Sequence, residues 1–238
     1  MVSFLAATAA LCTIGLAQAP QQVQVFTPSL TVTGNSEVKM APDLATVSIG
    51  VVSQAKTAQS AQNDANKRAQ GFIDQVKKLL GSHGSVHTGS INLYPVYSEA
   101  PPRSDTIFTP QITGYRAENI LTVETDDLKL VGPVIDTAIS AGLNNVQGVT
   151  FGLKDDSQAR LKALAEAVKE ARAKAEAMAN AADVLIVGIM DMNEGGARVV
   201  PMEAPMARMA MAASTPVEPG NVTVSADVTI RFFIKPKK

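Results

Sequence analysis

Apolar and polar residues alternate without interruption along the C-terminal stretch. Val222, Val224, Ala226, Val228, Ile230, Phe232 and Ile234 fall on one side, and Thr223, Ser225, Asp227, Thr229 and Arg231 on the other. A period of two predicts a strand with one face buried. The same reading applies to Ala45, Val47, Ile49 and Val51 against Thr46, Ser48 and Gly50. A short strand, Leu30 to Thr33, precedes it and is expected to end at the turn pair Gly34-Asn35. His87 to Tyr97 and Ile112 to Thr125 read as two long strands of a hairpin. The stretch between them, Ser98 to Pro110, contains Pro101, Pro102 and Pro110, which forbid a continuous ladder and predict an exposed loop. Val149, Phe151 and Leu153 mark a further strand, and Val184 to Met192 another.

Three segments change period. Ala58, Ala61, Ala65, Ala69, Phe72, Val76 and Leu79 predict a helix from Thr57 to Leu80, stopped by Gly81. From Asp126 to Ser140, Leu128, Val131, Ile135, Ala138 and Ile139 predict a second helix, with Asp126 as its cap and Gly142 after its end. Gly132-Pro133 interrupts that pattern: either the helix kinks there, or its regular part begins with Pro133 in the first turn, where a missing donor costs little. The longest helical segment, Asp155 to Asn180, places Leu161, Leu164, Val168, Ala171, Ala175, Met178 and Ala182 in one stripe. Its charged residues fall opposite, and an acidic start suits the positive end of the helix dipole. We read it as a lid over a sheet, since alanine lets a sheet approach closely; the rival reading is a two-stranded coiled coil, whose seam Ala171 and Ala175 would fill poorly.

Taken in order, the elements repeat. Strand, Ala-striped helix, strand and strand occur over residues 45–125 and again over 149–234, with the Gly132-Pro133 helix between. Each copy has an insertion before its last strand, Ser98 to Pro110 and Glu194 to Gly220. Strands meeting by hairpins, with helices on one side, predict an α+β fold of two tandem strand-helix-strand-strand units, their Ala-rich helices packed on antiparallel sheet. The folded domain is expected over residues 30–236.

The beginning of the chain has a different character. Phe4 to Leu16 is apolar but shorter than the roughly 20 residues that span a bilayer, and Ala17-Gln18-Ala19 has the small-x-small form of a cleavage site. Residues 1–19 are therefore expected to be a signal peptide, 20–29 a flexible leader, and the mature protein to be exported to the periplasm. The single cysteine, Cys12, lies inside the signal, so neither disulfides nor thiol chemistry is expected in the mature chain. Lys plus Arg number 21 against 22 Asp plus Glu, with no basic block beyond Lys235, Lys237 and Lys238. Nucleic acid is thereby disfavoured as a partner. No transmembrane helix is expected, which leaves peripheral association as the way to meet an envelope.

Few residues invite chemistry. His83 and His87 are the only histidines, and their spacing of four would converge on a metal only on a helix, which Gly81 and Gly84 oppose. No G-x-S-x-G, Gly-rich phosphate loop or H-E-x-x-H occurs, and Asp126, Asp127, Asp155 and Asp156 read as helix caps. No catalytic residue, cofactor or metal site is expected. The exception to this plainness is the second insertion, where Met202, Met206, Met209 and Met211 cluster among Ala and Pro. Exposed methionines make an adaptable apolar contact surface; thioethers also suit Cu(I) and act as an oxidant sink. Met40 and Met178, by contrast, are expected in or near the core.

Five short motifs in order carry a resemblance. They are Val32-Thr33-Gly34; Ala41-Pro42-Asp43-Leu44-Ala45-Thr46-Val47; Thr113-Gly114-Tyr115-Arg116-Ala117; Gly148-Val149-Thr150-Phe151; and Thr215-Pro216-Val217-Glu218-Pro219-Gly220. Together they resemble the SIMPL-domain family of bacterial envelope proteins, from Val32 to Phe233. Pro133 departs from the family pattern. The resemblance implies a periplasmic protein without recognised catalytic residues, forming ring- or channel-like homo-oligomers and associated with envelope and oxidative stress. Two other functions compete with this one: a copper-binding or methionine-based scavenging protein, and an enzyme of unknown class.

Overall fold

The structure, a computed structural model, describes residues 27–99, 108–203 and 218–237. Residues 1–19, expected to be a signal peptide, most of the expected leader and the middle of the Ser98 to Pro110 stretch lie outside the described residues. In chain order the elements are β1 (Ser29–Met40), β2 (Leu44–Ala55), α1 (Ala58–Leu80), β3 (Gly84–Tyr97), β4 (Ile112–Thr125), a 3-10 turn (Leu128–Leu130), α2 (Val131–Ser140), β5 (Asn145–Gly152), α3 (Ser157–Ala181), β6 (Val184–Val200), β7 (Met202–Glu203) and β8 (Val222–Pro236). The α+β class holds: two antiparallel sheets, ordered β3-β4-β2-β5-β7 and β1-β8-β6, carry helices against their inner faces.

The first unit follows the alternation of its sequence. Val47 lies opposite Val123 and Ile49 opposite Leu121, all four fully buried beneath Ala61, Ala65, Ala69, Phe72 and Val76 of α1. Thr57 caps α1, its hydroxyl accepting from the Ser60 N–H at 3.2 Å, and Gly81 ends the helix at φ +54°. Val134, Ile135 and Ala138 of α2 complete this core. Pro133 stands in the first turn of α2, after the 3-10 turn, so the helix begins there and has no internal kink. Asp126 is not its cap. Asp127 is the residue that accepts from the Lys129 N–H, at 3.1 Å.

The second unit keeps the strand-helix-strand-strand order in β5, α3, β6 and β8, with the two-residue β7 added. Its strands do not form a sheet of their own: β5 joins the first sheet along β2. Its place beside β8 is taken by β1, which pairs in register from Ser29 opposite Phe233 to Met40 opposite Val222. β1 therefore does not stop at Gly34-Asn35. Gly34 is there because α3 lies on it: a Cβ would fall 2.0 Å from the Ala167 carbonyl oxygen and 2.6 Å from the Ala171 nitrogen. Around that contact Ser36 Oγ donates to the Ala163 carbonyl at 2.6 Å, Lys174 Nζ to the Thr33 carbonyl at 3.1 Å, and the Asn35 N–H to the Glu170 carboxylate.

Which face α3 buries also differs from expectation. Ala159, Ala163, Ala167, Ala171, Ala175 and Ala179 face the sheet, whereas Leu161 is 60% and Met178 50% exposed. Spacing by four marks an oblique ridge along a helix, and only methyl-sized side chains permit the approach at Gly34. The larger residues of the expected stripe are displaced to the flank. The helix is packed on sheet, which disposes of the coiled-coil reading.

Candidate functional site

Because its alanine ridge seats α3 over β1 and β8, the strand on the far side of β8 is left partly uncovered. Along that flank runs a groove between α3 and β6. It holds two depressions, of about 630 Å³ and about 290 Å³, which meet at Val168 and Met192. The floor and walls are apolar: Ile186, Ile189, Ile230 and Phe232 in the larger depression, Leu164 and Val228 in the smaller. The rim is polar. Arg172 Nε and Glu176 Oε1 pair at 3.0 Å, Asn180 accepts from Lys237 Nζ at 3.1 Å, and Glu194 stands at the smaller end. A volume in this range suits a substantial apolar occupant.

β6 is also an edge strand, bonded to β8 alone. Val187 and Ile189 are more than half exposed, with Leu185, Met190 and Met192 close behind. From Val184 to Met190 there is no Lys, Pro or charge of any kind, the devices that ordinarily protect an edge from pairing with another chain. Asp191, the first charge met, is directed at Arg231 of β8, 3.7 Å away. Sequence reasoning finds β6 but ends it at Met192, assigning the rest to an insertion. The strand continues to Val200, bulging at three places as it follows β8.

Of the four methionines expected to form a contact surface, Met206, Met209 and Met211 lie outside the described residues. Met202 lies on β7, opposite Phe151 of β5, with its thioether against Gly220. It is 41% exposed and is separated from the groove by its membership of the other sheet. The expectation that Met40 and Met178 belong in or near the core is wrong: all five described methionines, Met40, Met178, Met190, Met192 and Met202, are exposed.

The polar clusters are connections between segments. Asp126 accepts from Lys154 Nζ and faces His83 Nδ1, each at 3.1 Å, in a shallow depression of about 190 Å³. Those hydrogen bonds, Lys154 first, hold its carboxyl below the ordinary range. His87 is elsewhere, on β3 opposite Thr122. Asp64 takes the buried Ser53 hydroxyl at 2.7 Å and Arg68 at 2.8 Å; the Ser53 bond is the main cause of its lowered pKa. A general base needs a pKa raised toward neutrality, and both carboxylates move the other way. Among the described residues no three His, Cys, Asp or Glu side chains are grouped to hold a metal, and no helix is long and apolar enough to cross a membrane.

Residues 30–232 match the family model described as SIMPL, protein of unknown function (DUF541). The chain is 32% identical over 216 residues to the 26 kDa periplasmic immunogenic protein of Brucella melitensis, covering 87% of this chain and 84% of that protein. It is 26% identical over 190 residues to the uncharacterized protein YggE of Escherichia coli K12, covering 80% and 74%.

Proposed function

The chain belongs to the SIMPL family, and on that premise we propose that it is an exported, periplasmic, non-enzymatic protein of the cell envelope that works as a homo-oligomer. One observation carries the reading: the groove between α3 and β6, bounded by an unguarded edge strand whose apolar side chains face solvent. Apolar area of this kind on a protein surface ordinarily marks a contact. The periplasmic setting is supported by the name of the Brucella relative and by the signal-like residues 1–19. The absence of an enzymatic role is supported by the carboxylates, which are lowered by ion pairs and hydrogen bonds to cap and clasp. Light scattering on the processed protein at micromolar concentration tests the reading. We expect a species several times the mass of one chain; a strict monomer overturns it.

A second reading, sacrificial oxidation under oxidative stress, is favoured by the exposure of all five described methionines. Limiting peroxide followed by peptide mass spectrometry separates the two. Assembly should protect Met192, which lines the groove, and leave Met40 reactive. Equal oxidation of both in the assembled protein favours the sink.

A further inference from the structure

The α3–β6 groove has a length, a lining and a charge distribution, and together they select an occupant. On α3 its wall runs from Leu164 to Asn180, which at 1.5 Å per residue is about 24 Å. An acyl chain spans half of a bilayer core, about 15 Å, so the groove takes one chain in full and leaves room for a head group. Its two depressions, of about 630 Å³ and about 290 Å³, fall together within the range of small-molecule sites. Ile189 stands opposite Phe232 and Met192 opposite Ile230, so these four side chains share the face of the sheet on which α3 lies, at the flank the helix leaves uncovered. They present hydrocarbon to the groove. β6 breaks register with β8 after Ile186, Ile189 and Glu194. Bulges of this kind interrupt the even row of main-chain groups that an added strand would pair with, which disfavours an extended peptide and favours an occupant that needs no backbone hydrogen bonds.

Charge is distributed unevenly along the groove. Around the larger depression Arg172, Lys235 and Lys237 stand against Glu176 and Asp183, one positive charge in excess among the described residues. Lys235 lies opposite Leu185, and Lys237 reaches Asn180 with its ammonium and the Asp183 carbonyl with its N–H. Both lysines therefore stand at the end where α3 turns into β6. Glu194 marks the opposite end. We propose that the groove holds one long-chain fatty acid, its hydrocarbon laid along Ile186, Ile189 and Phe232 toward Leu164 and its carboxylate at the Lys235 and Lys237 end. The occupancy goes beyond the oligomeric reading above and leaves it a surface: Val187 and Met190, the residues that β6 skips in its pairing with β8, remain exposed for a contact between copies.

Titration of the processed protein with cis-parinarate, a fluorescent polyene fatty acid, tests the occupancy, and displacement by saturated fatty acids tests the geometry. One saturable site per chain is expected. Dodecanoate should displace the probe at a concentration at least about tenfold below octanoate, because each methylene buried in the groove adds several-fold to affinity. Ile189→Glu, at a position 53% exposed, sets a carboxylate in the apolar lining, and Met192→Trp, at one 45% exposed, fills the junction of the two depressions. Each should weaken binding at least about tenfold, while Leu93→Ser, on the other sheet, should bind as the wild type does. Lys235→Glu with Lys237→Glu should weaken dodecanoate and leave dodecanol unchanged. Absence of saturable binding, equal displacement by octanoate and dodecanoate, or wild-type binding by Ile189→Glu overturns the proposal. An oligomer that binds no probe and that Ile189→Glu dissociates would assign the groove to a second copy instead. A monomeric wild type that binds the probe removes the oligomeric reading and keeps this one. If either groove substitution lowers the melting temperature, Ile189→Ser replaces it, and undiminished binding by that variant overturns the proposal.

Discussion

Asp43 Oδ1 accepts the backbone N–H of Lys154 at 2.7 Å, and the Asp43 N–H donates to the Gly152 carbonyl at 3.2 Å. Asp43 stands between β1 and β2, Lys154 between β5 and α3, so the pair ties together two of the places where the chain passes from one sheet to the other. Lys154 extends the tie through its ammonium to Asp126 and so to His83. Asp43→Ala leaves the Lys154 N–H without this acceptor and is expected to cost about 1–2 kcal/mol, read as a lower urea midpoint at unchanged slope. An unchanged midpoint would show that the crossings are held by other contacts.

Acid should weaken the fold. Asp64, Asp126, Asp155, Asp156, Glu166 and Glu170 all have carboxyls lowered from their ordinary values. A depressed folded-state pKa gives stability that is present above the unfolded value, about 4 for these groups, and lost as pH falls through the folded one. Thermal midpoints should be level between pH 5 and 7 with respect to these groups and decline below pH 4. Asp126→Asn should be less stable than the wild type at pH 7 and converge with it at low pH. A constant gap across that range would mean that the ionised carboxylate contributes nothing.

Two glycines should respond to alanine in opposite directions. Gly34→Ala drives a methyl group into the backbone of α3, where nothing can move aside without lifting the helix, and should cost at least about 3 kcal/mol. Gly71, inside α1, has nothing within 4 Å of the point where a Cβ would stand. Gly71→Ala should stabilise by about 0.5–1 kcal/mol through helix propensity. Equilibrium denaturation of the two variants checks both signs.

Asn119 lies on β4 opposite the buried Val51, and its Oδ1 is buried without a hydrogen-bond partner among the described residues. An unmet acceptor in an apolar core costs about 1–3 kcal/mol. Asn119→Leu keeps the branched outline of the side chain and removes the acceptor, and should raise the unfolding free energy by about 1 kcal/mol. A destabilised Asn119→Leu would point to a hydrogen bond made through an ordered water.

Elements with one clean period are legible in the sequence. The alternation of β8 and the Ala61–Ala65–Ala69–Phe72–Val76 stripe of α1 stand as read, since each faces a single apolar layer. Gly34-Asn35 misleads because a glycine that admits a helix backbone looks the same in sequence as one that makes a turn. The stripe of α3 misleads because hydrophobicity ranks Leu161 and Met178 above alanine, whereas the sheet distance selects for size. The groove is hidden for the same reason: the large residues absent from the core side are the ones on its flank. The exchange of β5 for β1 has no local signal, since pairing partners far apart in sequence leave no mark on the period of either strand. The continuation of β6 past Met192 is masked by its bulges, which break alternation.

The exchange also sets the order in which the molecule can be completed. β2, α1, β3, β4, α2 and β5 follow one another and close the first core with contacts made along a continuous stretch of chain. The second sheet has the last strand in its middle, bonded to β1 from about two hundred residues earlier and to β6. Until β8 has been delivered, β1 and β6 have no common neighbour, and the alanine ridge of α3 has only part of its seat. Closing so long a loop is slow. A chain delivered from its N-terminus across a membrane would thus hold one half folded and the other open, and would acquire the groove between α3 and β6, which Ile230 and Phe232 help to line, only when its final residues arrive.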